Sequence, residues 1–183
     1  MGLIQSNLFA KEKEELNNAC IKGQLKDAIN IYTKISVFQS DSNIFANVED
    51  TFKFTCHHGH LDVAQWLYQM CPTMNISAHN ESAFRLACQE GHLTIVEWLL
   101  QIKPTINISV ENDWAFQHAC VNGHLNVAKY LFKHRPNILF ANFDEEKRNK
   151  LITNLKNNLK YDVIEWLNKV EEYKNSFELL MNC

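Results

Sequence analysis

A run of cysteine and histidine near residue 56 is the part of this sequence best suited to chemistry. It reads Cys56-His57-His58-Gly59-His60. Thiolate and imidazole groups are the usual zinc ligands, and a cysteine beside a histidine can pair a nucleophile with its general base. No C-x-x-C or H-x-x-x-H spacing accompanies the run. Whether a metal or catalytic site exists therefore depends on whether these residue types are particular to this position.

They are not, because a ten-residue block that contains the run occurs three times. Its glycines, Gly59, Gly91 and Gly123, lie 32 residues apart (91 − 59 = 32; 123 − 91 = 32). Cysteine and histidine recur with each glycine as Cys56, Cys88 and Cys120 and as His60, His92 and His124. Catalysis needs one unique site. We therefore expect a non-enzymatic protein with no metal and no other cofactor, whose recurring thiols and imidazoles are structural.

The period of the block predicts stacked helix pairs. Residues 82–90 carry one apolar stripe, which predicts a first helix, and Gly91 can end it in a left-handed conformation. A second stripe predicts a helix over residues 92–101 that Pro104 terminates. The polar connection that follows favours an extended hairpin or loop. Three residues stand where an N-cap of the first helices is expected: Asp50, Ser82 and Asp113.

The segment from Ser82 to Leu100, SAFRLACQEGHLTIVEWLL, resembles the ankyrin repeat, whose unit runs T-P-L-H-x-A-A-x-x-G-H-L-x-V-V-x-x-L-L. The resemblance implies an all-α, ankyrin-like helix-pair solenoid with short hairpin loops. It implies one domain over residues 1–183, made of a divergent unit at about 14–43, three regular repeats at 44–140 and a divergent capping unit at 141–183. The family histidine that braces the hairpin is replaced by Lys53, Arg85 and Gln117.

This Phe-Cys-Trp style of repeat is similar to that of ankyrin proteins from large DNA viruses and some protists. The similarity implies a viral protein engaged in host–virus interaction. Because the four cysteines at the repeat position are expected to stay reduced, a cytoplasmic location is predicted, meaning the host cytoplasm or nucleus if the protein is viral. No signal peptide is apparent at the N-terminus.

Composition narrows the choice of partners. The net charge is −3 and the pI is about 6.2, so the basic character typical of nucleic-acid binding is missing. No run of 18 apolar residues predicts a membrane span. The start Met1-Gly-Leu-Ile-Gln-Ser6 fits the N-myristoylation pattern, and we expect no membrane binding unless Gly2 is modified. We expect a monomer that binds a protein.

Carried over from the family, the partner-binding positions lie at the hairpin tips and on the exposed side of the first helix. They are Asn47, Glu49, His57, His58, His79, Glu81, Gln89, Glu90, Glu111, Asp113, Trp114, Val121 and Asn122. Four of them form a predicted acidic edge that would face a basic segment of the partner: Glu49, Glu81, Glu111 and Asp113. Trp114 is either an exposed hot spot or a packing residue.

The function that the resemblance implies is protein–protein interaction through the hairpin tips and the concave helix face. The alternative is a substrate-recruiting adaptor of a ubiquitin ligase, whose C-terminal unit docks the ligase. An F-box-like segment after the repeats would favour the adaptor, but residues 151–167 match a capping repeat better. An enzyme is the third possibility, and a bound metal or one deep pocket would favour it.

Overall fold

The computed structural model describes residues 2–37, 44–45, 47–135 and 145–181. Over these residues the chain forms ten α-helices and no strand. The helices are α1 (Gly2–Ile21), α2 (Leu25–Ser36), α3 (Val48–His57), α4 (Leu61–Met70), α5 (Ala78–Gln89), α6 (Leu93–Ile102), α7 (Val110–Asn122), α8 (Leu125–His134), α9 (Glu145–Asn157) and α10 (Tyr161–Met181). The all-α prediction is confirmed.

The first of two compact units is Met1–Asn107, which holds the helix pairs α1–α2, α3–α4 and α5–α6. Within it α1 packs against α2 and α3, and α3 packs against α4 and α5. The first helices of successive pairs therefore contact one another. Their shared interior is built from repeated positions, since Phe52, Phe84, Cys56 and Cys88 are all at most 1% exposed.

The second compact unit is Ile108–Cys183, in which α7 packs against α8 and α9, and α9 packs against α10. Phe116, Cys120 and Leu131 continue the repeat pattern with 0% exposure, and Leu155 is as deeply buried. The segment 151–167 supplies the end of α9 and the start of α10, as expected for a capping helix pair. The organisation of residues 1–183 as one domain stays a prediction.

The turn inside each of the first four helix pairs follows the predicted glycine rule, with a positive φ at Gly23, Gly59, Gly91 and Gly123. At the end of α3, Gly59 has a φ of +84°. Its N–H donates to the carbonyl oxygen of Cys56 at 3.3 Å, and the N–H of His60 donates to that of Thr55 at 3.1 Å. This is a Schellman motif, which satisfies two carbonyl groups at the helix end. A residue with a side chain would be strained at this φ.

The connections between pairs differ from the predicted hairpins. Past Pro72 the described chain makes turns without a strand, and then three consecutive residues, His79, Asn80 and Glu81, adopt left-handed angles with φ from 54° to 59°. The same conformation recurs 32 residues later, from Glu111 to Asp113. The helices α5 and α7 thus begin with a left-handed turn.

The predicted N-caps are wrong, and the left-handed turn explains this at Ser82. The Ser82 hydroxyl donates to the carbonyl oxygen of Ala78 at 3.2 Å instead of accepting a helix N–H. Asp50 lies inside α3, where its carboxylate accepts a hydrogen bond from Lys53 at 2.6 Å. None of the caps seen at the starts of α3, α5 and α7 makes a side-chain hydrogen bond.

Candidate interaction surface

Four predicted residues from two successive repeats come together at the ends of α3 and α5. His57 Nδ1 lies 3.8 Å from Glu90 Oε1, and the amide of Gln89 donates to the same oxygen at 2.7 Å. The rings of His57 and His58 are 4.8 Å apart. We call His57, His58, Gln89 and Glu90 the His–Glu strip. The 32-residue spacing placed these residues at equivalent positions, and the contact of α3 with α5 brings them side by side.

The strip is partly open to solvent. The side chains of His57 and Glu90 are 28% and 38% exposed, and His58 is exposed. His57 Nδ1 itself is buried and has no hydrogen-bond partner. At 3.8 Å its contact with Glu90 is an ion pair only when the imidazole is protonated. The strip therefore offers a partner a carboxylate, an amide and two imidazoles.

An exposed aromatic residue extends the strip, and the family-based selection of sites missed it. Phe54 is 40% exposed, and the ammonium of Lys53 lies 4.5 Å from its ring centre. Phe54 stands three and four residues before His57 and His58, so all three share one side of α3. That helical spacing was the available signal for Phe54.

Two of the histidines that follow the turn glycines, His60 and His92, contact the backbone of the preceding helix pair. His92 Nε2 lies 2.9 Å from the carbonyl oxygen of His57. Burial, and next the neighbouring His58, lower the pKa of His60, which also bonds to the backbone of Ile21. These two imidazoles therefore serve the contacts between helix pairs.

The predicted acidic edge is corrected by the burial of two of its members. Glu81 is only 9% exposed and accepts a hydrogen bond from the Asn107 N–H at 3.4 Å. Asp113 is 0% exposed and contacts Arg135 at 3.0 Å. Glu49 is half-buried and accepts from the Asn75 N–H at 3.3 Å. Side chains at this repeat position bind the chain's own backbone or a cation, which removes them from a continuous acidic surface.

The remaining tip residues of the first unit are exposed. Asn47 precedes α3 on the surface. His79 is 60% exposed, and its Nε2 lies 3.7 Å from Asp50 Oδ1. A hydrogen bond from Lys53 is the main cause that lowers the pKa of Asp50 below its ordinary value. The tips thus present an amide and an imidazole more than carboxylates.

In the second unit, Trp114 is a packing residue. Its ring stacks on His118 with 3.7 Å between centres, and the His118 Nδ1 lies 2.9 Å from the Trp114 carbonyl oxygen. The predicted residues Glu111 and Val121 line a cleft of about 410 Å³ between α7 and α9, and Asn122 is exposed. The second unit therefore offers a separate, smaller candidate surface.

The side chains that replace the family's bracing histidine bind backbone carbonyl groups. Arg85 Nε donates to the carbonyl oxygen of Asn80 at 2.8 Å, and Gln117 Nε2 donates to that of Asn112 at 2.6 Å. Each side chain holds the left-handed turn at the start of its own helix. The sequence showed that the histidine was replaced but not what the replacement contacts.

The repeated cysteines are free thiols in the core. Cys20, Cys56, Cys88 and Cys120 are buried, whereas Cys71 is half-buried. Burial raises the pKa of Cys20 to about 12 and raises the pKa values of Cys56, Cys88 and Cys120 as well. Such thiols carry little thiolate at neutral pH and are poor nucleophiles.

Neither a metal site nor a membrane-spanning helix is found among the described residues. The described residues contain no cluster of three or more His, Cys, Asp or Glu side chains able to hold a metal ion. Among the described helices, none combines the length and the apolar character that a membrane span requires.

Comparison with known proteins agrees with this fold. No protein-family model matches the sequence, and no curated protein matches it either. Among solved structures, the chain is similar to an ankyrin repeat family protein from Legionella pneumophila, with a TM-score of 0.62 and 27% identity. The match covers 94% of this chain and 49% of that one, so this chain spans about half its length. The likeness supports the ankyrin resemblance and confirms the fold, while the viral style of the repeats stays a prediction.

Proposed function

We propose that this chain is a non-enzymatic protein-interaction module that binds a partner protein through the His–Glu strip and the exposed tips. Ankyrin-type folds generally serve protein–protein interaction, and the fold here is of that type. One observation supports the proposal best: equivalent buried positions keep their residue type while equivalent exposed ones change. Phe52 and Phe84 are the same residue in the core, whereas His58 and Glu90 differ on the surface.

The strip is the favoured part of the surface because it combines an aromatic ring with polar groups that can form hydrogen bonds. Phe54 supplies apolar area beside His58, and Glu90 supplies a carboxylate. Partly exposed aromatic side chains surrounded by polar groups are common at interface hot spots. Since Glu81 and Asp113 are buried and Glu49 is bonded to the Asn75 N–H, attraction of the strip to a basic segment of the partner would come from Glu90.

The experiment compares the full chain with two double variants in affinity purification from cells. His58→Ala with Glu90→Ala alters the strip, and Thr94→Ala with Glu97→Ala is the matched control on the exposed side of α6. We expect one protein to be retained by the wild type and the control and lost from the strip variant. Titration of that purified partner should then show binding at least about tenfold weaker to the strip variant.

The proposal is wrong in its choice of surface if all three proteins retain the same partner with equal affinity. The adaptor role would be favoured if the wild type and both double variants retained ubiquitin-ligase subunits and a variant altered in the second unit lost them. No structural observation favours that role. The proposal also takes the protein to be a cofactor-free monomer, and its free buried thiols favour a cytoplasmic location.

A further inference from the structure

The turn between α9 and α10 carries a leucine where the turns of the repeats carry glycine. Leu159 has a φ of 56°, and its N–H donates to the carbonyl oxygen of Lys156 at 3.1 Å. The N–H of Lys160 donates to the carbonyl oxygen of Leu155 at 2.9 Å, which completes the same Schellman motif. A leucine in this conformation costs about 1 kcal/mol relative to glycine.

Packing does not offset that cost. Leu159 is 70% exposed, and Tyr161, two residues later, is 61% exposed. We call these two side chains the Leu–Tyr tip. A strained backbone that displays an apolar side chain to solvent is unfavourable for folding, and such local conflicts concentrate at functional sites.

The segment that leads into the tip is rich in lysine. Residues 147–160 contain five cationic residues and no acidic one, whereas the three residues before them, 144–146, are all acidic. Lys150 and Lys156 are exposed. The stem and ammonium of Lys160 lie against Gly123, within 3 Å of where a Cβ on that glycine would stand. The segment is therefore a local site of attraction for anions.

The acidic residues near the tip do not cancel this charge. Asp162 is exposed beside Tyr161. Glu165, one turn further along α10, pairs with Lys169 at 2.7 Å, and that hydrogen bond is the main cause that lowers its pKa. Close to the tip, Asp162 therefore opposes Lys156 and Lys160, while Glu145 and Glu146 lie at the opposite end of α9.

We propose that the Leu–Tyr tip binds the surface of an anionic membrane. Leucine and tyrosine enter the interfacial region readily, and nearby lysines are attracted to anionic lipid headgroups. Leucine is under-represented at protein hot spots, and phosphate contacts to a nucleic acid would use the lysines without the exposed Leu159, so a lipid surface suits this combination best. The binding is peripheral, needs no spanning helix and does not depend on the proposed protein partner.

The test is vesicle sedimentation of the full chain, made without N-terminal acylation so that Gly2 carries no lipid. The vesicles contain phosphatidylcholine alone or with about 30% phosphatidylserine, at about 0.1 M or 0.5 M salt. We expect wild-type protein to bind the phosphatidylserine vesicles at low salt only. Leu159→Gly should weaken that binding about fivefold to tenfold, because its apolar side chain no longer enters the membrane.

Leu159→Gly also removes the concern about misfolding, since relief of the left-handed strain should make the variant slightly more stable in urea. The double variant Lys150→Gln with Lys156→Gln should bind phosphatidylserine vesicles more weakly than the wild type does. The matched controls lie in the first unit: Lys26→Gln with Lys34→Gln changes the net charge equally, and Val37→Ser removes an apolar residue that is 72% exposed. Both controls should bind as the wild type does.

Three outcomes would overturn the proposal. They are equal binding to both kinds of vesicle, full binding by Leu159→Gly, or an equal loss in the two lysine pairs. If the protein bound neither kind of vesicle but retained an acidic peptide or an RNA through the tip, the membrane proposal would be wrong. The tip would then bind another class of ligand.

Discussion

The imidazole of His92 covers Gly59, the turn glycine of the preceding helix pair. A Cβ built on Gly59 would lie 2.6 Å from His92 Cε1, closer than any real side-chain contact. The Nε2 of His92 is 2.9 Å from the carbonyl oxygen of His57, two residues before that glycine. His60 lies over Gly23 in the same way. The recurring Gly-His dipeptide therefore joins one pair to the next, since the glycine leaves the space that the next histidine fills.

This contact predicts coupled effects of substitutions at Gly59 and His92. Gly59→Ala should destabilise by about 2 kcal/mol or more, from left-handed strain plus the clash with the ring. His92→Ala should cost about 1 kcal/mol for the lost hydrogen bond. In the double variant the clash is gone, so its cost should be less than the sum.

Urea unfolding of the four proteins measures this coupling, and Thr94→Ala, at an exposed site two residues from His92, serves as the neutral control. Additive costs in the double variant would show that the ring does not restrict the glycine.

Much of this arrangement could be predicted from the repeat. The glycine turns, the structural histidines and the buried phenylalanines and cysteines follow from a spacing that places the same contact in each pair. The roles of Glu81 and Asp113 could not be predicted, because their partners, Asn107 and Arg135, lie 26 and 22 residues further along the chain. Spacing gives a carboxylate its position on a tip but not the direction of its side chain.

The left-handed turns were missed for a different reason. Backbone propensities assign such angles to glycine, and less often to single Asn or Asp residues, whereas here three successive non-glycine residues adopt them. Their conformation depends on hydrogen bonds from Arg85 and Gln117, side chains in the helix that follows each turn. Local preference was therefore overridden by contacts that a sequence pattern does not contain.

The ion pair of Asp113 with Arg135 predicts an asymmetry between the two partners. Asp113 is fully buried, whereas the Arg135 side chain is 32% exposed. Arg135→Met removes the guanidinium from a buried carboxylate and should cost about 3 kcal/mol. Asp113→Asn keeps the shape of the side chain and leaves an arginine that can reach water, so it should cost about 1 kcal/mol.

Denaturant midpoints of the two single variants decide this point, with Lys133→Met as the control for an exposed cation on the same helix. A larger cost for Asp113→Asn than for Arg135→Met would contradict the assignment of the buried partner.

The left-handed turn at Asn112 predicts opposite effects for two substitutions. Its φ is 59°, a conformation that asparagine tolerates, glycine adopts freely and β-branched residues avoid. Asn112→Gly should be neutral or stabilise by up to about 1 kcal/mol, and Asn112→Val should destabilise by about 1–2 kcal/mol. Thermal melting of both variants measures the difference, and a valine variant as stable as the glycine variant would rule out the left-handed turn.

The lowered pKa of His60 predicts a loss of stability in mild acid. Its folded-state pKa lies below the ordinary 6.5, chiefly through burial and next through His58. The folded protein therefore binds this proton less well than the unfolded chain, so stability is complete above pH 6.5 and is lost as pH falls through the folded-state value. His58→Asn should reduce the loss, because it removes the neighbouring charge.

Unfolding free energies at about pH 7.5 and pH 5.5 provide the measurement. Thr94→Ala, at an exposed site without a titratable group, is the control and should leave the pH dependence unchanged. An identical acid sensitivity in wild type and His58→Asn would remove His58 from the explanation.

The buried thiols predict selective labelling. In a Cys183→Ser background, a thiol reagent should modify Cys71 at neutral pH. The buried thiols should react about a hundredfold more slowly, because they become accessible only after unfolding; these are Cys20, Cys56, Cys88 and Cys120. Mass spectrometry should show one adduct on the native protein and five in urea. Rapid modification of a second thiol in the native state would contradict the packing of the repeat position.

The same thiols predict alkaline destabilisation. Burial raises the pKa of Cys20 from 9.0 to about 12, so the folded protein holds this proton more tightly than the unfolded chain does. The stability that it contributes is complete below pH 9.0 and is lost as pH rises towards 12. Cys20→Ala keeps a small side chain there and should reduce the loss of unfolding free energy between about pH 8 and pH 10.5. Thr94→Ala, at an exposed site, is the control, and an equal loss in Cys20→Ala and wild type would show that the buried thiol is not its source.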